Sequence, residues 1–143
     1  MPFQLLQLAE KERITVEYWD FEEPLEAVYW NKNGQASIGL SKTLLRNRAH
    51  HRTLLAEELG HHFTSGGNGV TIKCYYWNRI NICREEYRAM KWAAMRLIPE
   101  DKLYIALQKN IHESWMLADY FNVDESLVDF RLALLKSESI GRC

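Results

Sequence analysis

Ala56-Glu57-Glu58-Leu59-Gly60-His61-His62 is the stretch on which the reading of this chain turns. Glu57 and His61 stand four residues apart, and so do Glu58 and His62. In a helix that spacing stacks both members of a pair on one face, where they can share a metal ion. The two registers are not chemically equivalent. In the first, the residue directly after the leading ligand is Glu58, which can accept a proton. In the second it is Leu59, which cannot. Any chemistry therefore belongs to Glu57 and His61 as ligands, with Glu58 as general base. Taken without context, the same residues also describe a solvated acidic helix face, ended by two histidines that suit the C-terminal helix dipole.

Working outward, the segment from about Lys42 to Phe63 reads as one long helix. Ser41 is its candidate N-cap, and Leu44, Leu45, Leu54, Leu55 and Leu59 are its apolar positions. Thr64-Ser65-Gly66-Gly67-Asn68-Gly69 stops it. Upstream, residues Pro2 to Arg13 suit a short helix. Ile14–Trp19, Glu26–Trp30 and Gln35–Leu40 are β-branched or aromatic and read as strands. Asn31-Lys32-Asn33-Gly34 joins the last two as a hairpin. Downstream, Val70, Ile72, Cys74 and Tyr76 alternate as in a strand, although Val70–Asn81 reads equally well as an ordered loop. Cys83–Ile98 reads as helix, ended by Pro99, with Tyr87, Met90, Ala94 and Leu97 on one stripe. Three short helices follow, Glu100–Lys109, Glu113–Phe121 and Asp124–Lys136, before a frayed tail Ser137–Cys143.

The chain has 143 residues, 47% hydrophobic and 26% charged, with a formal charge of −1. Such a length suits one domain, here 1–143, with 1–99 holding the sheet and two motif helices and 100–136 the C-terminal helices. The near-neutral balance gives no pull toward nucleic acid or an anionic membrane. No apolar run is long enough to cross a bilayer. The start, Met1-Pro2-Phe3-Gln4-Leu5, lacks the basic opening of a signal peptide. Cys74, Cys83 and Cys143 are odd in number and without C-x-x-C spacing, which favours free thiols and a cytoplasmic setting.

The central stretch is one residue from the zinc-protease helix motif H-E-x-x-H. Glu57 occupies the first-histidine place, Glu58 the base place and His61 the second-histidine place. Such a centre needs a third protein ligand, and Glu85 and Glu86 at the start of the next helix are both candidates. Two carboxylates with one imidazole make a harder donor set than the usual two histidines and one glutamate. That lowers zinc affinity, shifts preference toward manganese or iron, and leaves the metal less able to acidify water.

Leu55-Ala56-Glu57-Glu58-Leu59-Gly60-His61-His62 resembles the L-A-H-E-L-G-H-H core of the ImmA/IrrE family of metallopeptidases. Glu86-Tyr87-Arg88-Ala89-Met90-Lys91-Trp92-Ala93-Ala94-Met95-Arg96-Leu97-Ile98-Pro99 resembles the family's second signature, with Glu86, Ala89, Trp92, Ala93, Leu97 and Pro99 in place. Leu117–Val123 and Arg131-Leu132 are similar to its C-terminal helices. The resemblance implies an α+β, small zincin-like fold, a three-stranded antiparallel sheet packed on a long metal-site helix, followed by C-terminal helices. It implies a metal-dependent endopeptidase of the gluzincin type with Glu57, His61 and Glu86 as metal ligands, Glu86 being preferred to Glu85 by the alanine spacing, and Glu58 as catalytic base. Zinc (Zn2+) is the implied metal, with manganese (Mn2+) or iron (Fe2+) as alternatives for this donor set. The implied partner is a helix-turn-helix repressor of a prophage or integrative element, cut so as to derepress the element.

The strand Ala36–Leu40 is expected to be an edge that holds an extended peptide. Tyr75, Tyr76, His50, His51 and His62 are all candidates for stabilising an oxyanion, with His62 better suited to a structural role, His50 and His51 to the surface and His112 to a helix start. The competing reading is a weak or inactive member of this fold acting as an antirepressor or regulatory binding module. A DNA-binding role for Ser114–Leu135 ranks below both, because Asp119, Asp124, Glu125 and Asp129 make that segment acidic.

Overall fold

The computed structural model describes residues 2–65, 69–74 and 84–140, with side chains described outside 69–74 and 138–140. Helix α1 (Phe3–Lys11) leads into strands β1 (Thr15–Trp19), β2 (Leu25–Lys32) and β3 (Gln35–Ser41). A short 3₁₀ turn, Lys42–Arg46, precedes α2 (Arg48–Thr64). Then come β4 (Gly69–Cys74), α3 (Arg84–Leu97), α4 (Glu100–Gln108), α5 (Ser114–Phe121) and α6 (Glu125–Ile140). The result is a small α+β fold of the expected zincin-like kind.

The sheet departs from expectation in two ways. It has four described strands, in the order β1-β3-β2-β4, and it is mixed. β2 pairs antiparallel with β3 through the expected hairpin, whose Asn33 and Gly34 both have positive φ, 53° and 82°. Two such residues in succession match the twist of a tight hairpin. β4 also pairs antiparallel with β2 and takes its other edge. β1 is thereby displaced to β3, alongside which it runs parallel, from Thr15 opposite Ser37 to Trp19 opposite Ser41. β3 is thus an interior strand, and Ala36–Leu40 cannot accept an added peptide as an edge. Among the described strands the edges are β1 and β4. β4 resolves the ambiguous segment as strand through Cys74, whereas Tyr75–Asn81 lie outside the described residues.

The long helix expected from Lys42 is broken at Asn47. That residue is extended, with φ −132° and ψ 98°, and its side chain accepts a hydrogen bond from His50 N. Asparagine competes well as a cap because its side-chain oxygen satisfies an orphan N–H. Ser41 still caps, but it caps the 3₁₀ turn, accepting from Thr43 N. At the other end of the chain the helix continues through Ser137 to Ile140 rather than fraying.

α2 is the axis of the molecule. Every residue from Thr53 to His61 is buried. Ala27, Tyr29, Ile38 and Leu40 of the sheet share the core with Leu54, Leu55 and Leu59. α3 supplies Ala89, Met90, Ala93, Ala94 and Leu97 from one stripe. Tyr87, expected on that stripe, is exposed instead. A helix buried around its girth is a core element, so any charge it carries is enclosed. Arg131 of α6 is also enclosed, and its Nε donates to Ile98 O at 2.8 Å, tying α6 to the end of α3. Among the described residues no helix is long and apolar enough to cross a membrane.

Candidate metal centre

Burial overturns the solvated-face reading of α2. Glu57 is 0% exposed, Glu58 1% and His61 2%. Two adjacent carboxylates and an imidazole inside a domain this small are costly to desolvate. Such a concentration marks a functional site more often than a packing accident.

α2 and α3 approach most closely at Gly60 and Ala89. A Cβ built on Gly60 would overlap the Ala89 carbonyl oxygen and lie 2.9 Å from Ala89 C and Cα. Glycine inside a helix costs up to about 1 kcal/mol relative to alanine, so its presence needs a packing reason, and the backbone of α3 is that reason. The close crossing brings the start of α3 over the end of α2. His61 Nε2 lies 3.0 Å from Glu86 Oε2. Glu85, the other candidate, is exposed. Acidic residues in the first turn also suit the positive end of the α3 dipole.

Tyr29 of β2 floors this arrangement. Its ring stacks on His61 at 6.4 Å between centroids and 18° between planes. Its hydroxyl accepts from Asn31 Nδ2 and lies 3.1 Å from His62 Nδ1. Burial raises the Tyr29 pKa, the Asn31 hydrogen bond opposes that, and the negative charge of Glu58 adds to the rise. Tyr29 therefore stays protonated and can donate to His62, which gives His62 the structural role expected of it. Nothing in the sequence singled out Tyr29. The available signal was its period-two alternation with Ala27 on the inward face of β2.

Among the described residues, no three His, Cys, Asp or Glu side chains converge closely enough to hold a metal ion as they stand. The donors fit a divalent cation in type, and His61 and Glu86 are already paired. Their 3.0 Å separation is that of a hydrogen bond, and a cation held here would take the place of that contact. Glu57 lies one turn before His61 on the same helix. Tyr75 and Tyr76 lie outside the described residues, as do Cys83 and Cys143.

His50 and His51 are not free surface residues. His51 is buried, and its Nε2 is 2.8 Å from Tyr18 Oη. Burial lowers the His51 pKa. His50 sits between two carboxylates, with Nδ1 2.5 Å from Asp124 Oδ2 and Nε2 2.7 Å from Glu26 Oε2. Asp124, expected to cap the last helix, directly precedes α6, accepts from Leu127 N and Val128 N through its carbonyl, and gives its carboxylate to His50. Burial alone would lower the His50 pKa, but the hydrogen bonds and charges of Asp124 and Glu26 outweigh it and raise it to about 9. A raised pKa means that folding favours the protonated ring. The stabilisation is fully present below the unfolded-state value of about 6.5 and is lost as pH rises through about 9. His50→Gln should therefore cost on the order of 2 kcal/mol near pH 6, after allowance for a ring that is partly exposed, and much less near pH 10. Urea unfolding at both pH values checks this, and a pH-independent difference would refute it.

Two features of the site were thus legible as residues but not as geometry: the packing glycine, and the histidine locked by partners 24 and 74 positions away. No significant match to the chain is found among curated proteins or solved structures. Residues 9–133 match the model of the IrrE N-terminal-like domain, a peptidase family. That match runs from the end of α1 well into α6 and includes the three elements, β2, α2 and α3, that carry Tyr29, Glu57, Glu58, His61 and Glu86. The chain belongs to this ImmA/IrrE family of metallopeptidase-type proteins.

Proposed function

We propose that the chain is a metal-dependent endopeptidase in which Glu57, His61 and Glu86 would hold the metal and Glu58 is the general base. The observation that carries this reading is the approach of His61 Nε2 to Glu86 Oε2 beside two buried glutamates. A bound dication supplies a Lewis acid that acidifies water and polarises a peptide carbonyl. Zinc is the first expectation, and the second carboxylate makes manganese or iron suitable. Glu58 takes the proton of the attacking water and returns it to the leaving amine. Tyr29 holds the His61 ring by stacking and keeps His62 engaged through its hydroxyl. An extended substrate would add to an edge of the described sheet, and β4 is the edge strand that follows the metal helix directly. The substrate we assign is a helix-turn-helix repressor of a prophage or integrative element in the cytoplasm, on the strength of the family resemblance.

A second reading is favoured by Glu57 itself. A carboxylate in place of a histidine, and a His61–Glu86 pair complete as a hydrogen bond, suit a weak or inactive enzyme that relieves a repressor by contact. Metal analysis of the purified protein beside Glu57→His separates the two. The endopeptidase reading expects stoichiometric divalent metal in both proteins, bound more tightly as zinc in the histidine variant. Metal in the variant alone would favour the binding module. Stoichiometric metal in neither would overturn the proposed ligand set.

A further inference from the structure

The face of α3 opposite its buried stripe carries Arg84, Arg88, Lys91, Trp92, Met95 and Arg96, at spacings of i, i+4, i+7, i+8, i+11 and i+12. These positions form one continuous side of a helix. Five of them, with Thr64 from the end of α2, line a cavity of about 490 Å³. Its apolar part is Trp92, stacked on Phe63 at 5.0 Å and 14°, together with Met95, which is 39% exposed. Its charged part is Arg88, Lys91 and Arg96, the last with its guanidinium 5.9 Å from the Trp92 ring centre. Among the described residues no aspartate or glutamate lines it, in a chain where acidic residues slightly outnumber basic ones. The concentration of cations is therefore local.

From this geometry we infer that the groove is a docking site for an acidic segment of a partner protein that carries an apolar anchor residue. The anchor lies against Trp92 and Met95, and flanking carboxylates pair with Arg88, Lys91 and Arg96. Guanidinium groups suit carboxylates because they donate two parallel hydrogen bonds. The apolar floor favours a peptide over a nucleic-acid backbone, which needs phosphate contacts and no apolar anchor. Thr64 lies three residues after His61, and Arg88 two after Glu86, so a segment docked here is tethered beside the candidate centre. Tethering raises the local concentration of the rest of the partner. The inference concerns binding alone and does not depend on the endopeptidase reading.

The test uses full-length Glu58→Gln protein, so that no probe is cut, and fluorescence anisotropy with a short labelled peptide alternating glutamate and leucine. Saturable binding is expected, at least about tenfold weaker for the glutamine–leucine and glutamate–alanine counterparts and for Arg88→Glu/Arg96→Glu protein. Circular dichroism and urea midpoints confirm that the charge-reversed protein is folded, since both residues are exposed. Equal affinity for the neutral peptide, or no loss on charge reversal, would overturn the inference. So would equally tight binding of duplex DNA abolished by the same reversal, or sedimentation showing that the face is occupied by a second copy of the chain. Cleavage of casein by the wild-type protein, measured separately, reports on the endopeptidase reading whatever the peptide does.

Discussion

Gly60→Ala should destabilise the protein by about 2–4 kcal/mol, although alanine is the better helix former by about 1 kcal/mol. Two effects compete at this position, and their magnitudes decide the sign. The added methyl group has nowhere to go. It meets not the end of a flexible side chain but the Ala89 carbonyl group, held in the hydrogen-bonded frame of α3. α2 and α3 would have to separate, opening a gap along a seam lined by alanines that are fully buried. Separation also draws Glu86 away from His61, so metal affinity and any activity should fall with stability. Gly34→Ala is the informative comparison. There a Cβ meets nothing within 4 Å, but φ is +82°. That change should cost only about 1 kcal/mol, through backbone strain alone. Urea midpoints for the two variants should therefore differ clearly. If Gly60→Ala unfolds within about 0.5 kcal/mol of the parent, the crossing of α2 and α3 is not as tight as described.

Glu58→Gln should lower peptide-bond cleavage by about 10²- to 10⁴-fold, the usual contribution of a positioned acid–base group. The amide keeps the shape of the carboxylate, so the α2 packing is retained, but it cannot accept the proton of an attacking water. Because Glu58 is not among the proposed ligands, metal content should be unchanged. Loss of activity with metal retained is the signature of a base rather than a ligand, whereas Glu57→Gln should lose both. Glu85→Gln, exposed at the start of α3, is a suitable control and should behave as the parent. Cleavage by Glu58→Gln within about tenfold of the parent would remove Glu58 from the mechanism.

Much of this was readable in the linear sequence because it rests on local physics. Asn33-Gly34 reads as a hairpin because the turn needs two residues at positive φ. The i, i+4 spacing of Glu57 and His61 fixes them on one helix face whatever surrounds it. The preference for Glu86 over Glu85 comes instead from the resemblance to the family's second signature, through the alanines that follow it. What stayed hidden depends on partners far along the chain. Whether Glu57 and Glu58 face solvent or core is decided by the sheet and α3 closing around α2, and acidic residues carry no local sign of that enclosure. The parallel pairing of β1 follows from β4 occupying the edge of β2, an outcome settled some fifty residues downstream. Asn47 shows a smaller failure of the same kind. Its capping strength was available in the sequence, but the run of leucines on either side suggested one unbroken helix.

The lock around His50 has a consequence for how the molecule comes apart. Glu26 belongs to the second strand, His50 to the first turn of α2, and Asp124 to the approach to α6. Asp124 N also donates to Thr53 Oγ1, and Arg52 Nη1 donates to Phe121 O, so the same junction is bolted three times. The last two helices are therefore not an appendage that can peel away while the sheet and α2 stay intact. Opening at this junction exposes α2, so the bonded and buried amides of Leu127 and Val128 should exchange at rates set by global unfolding rather than local fraying.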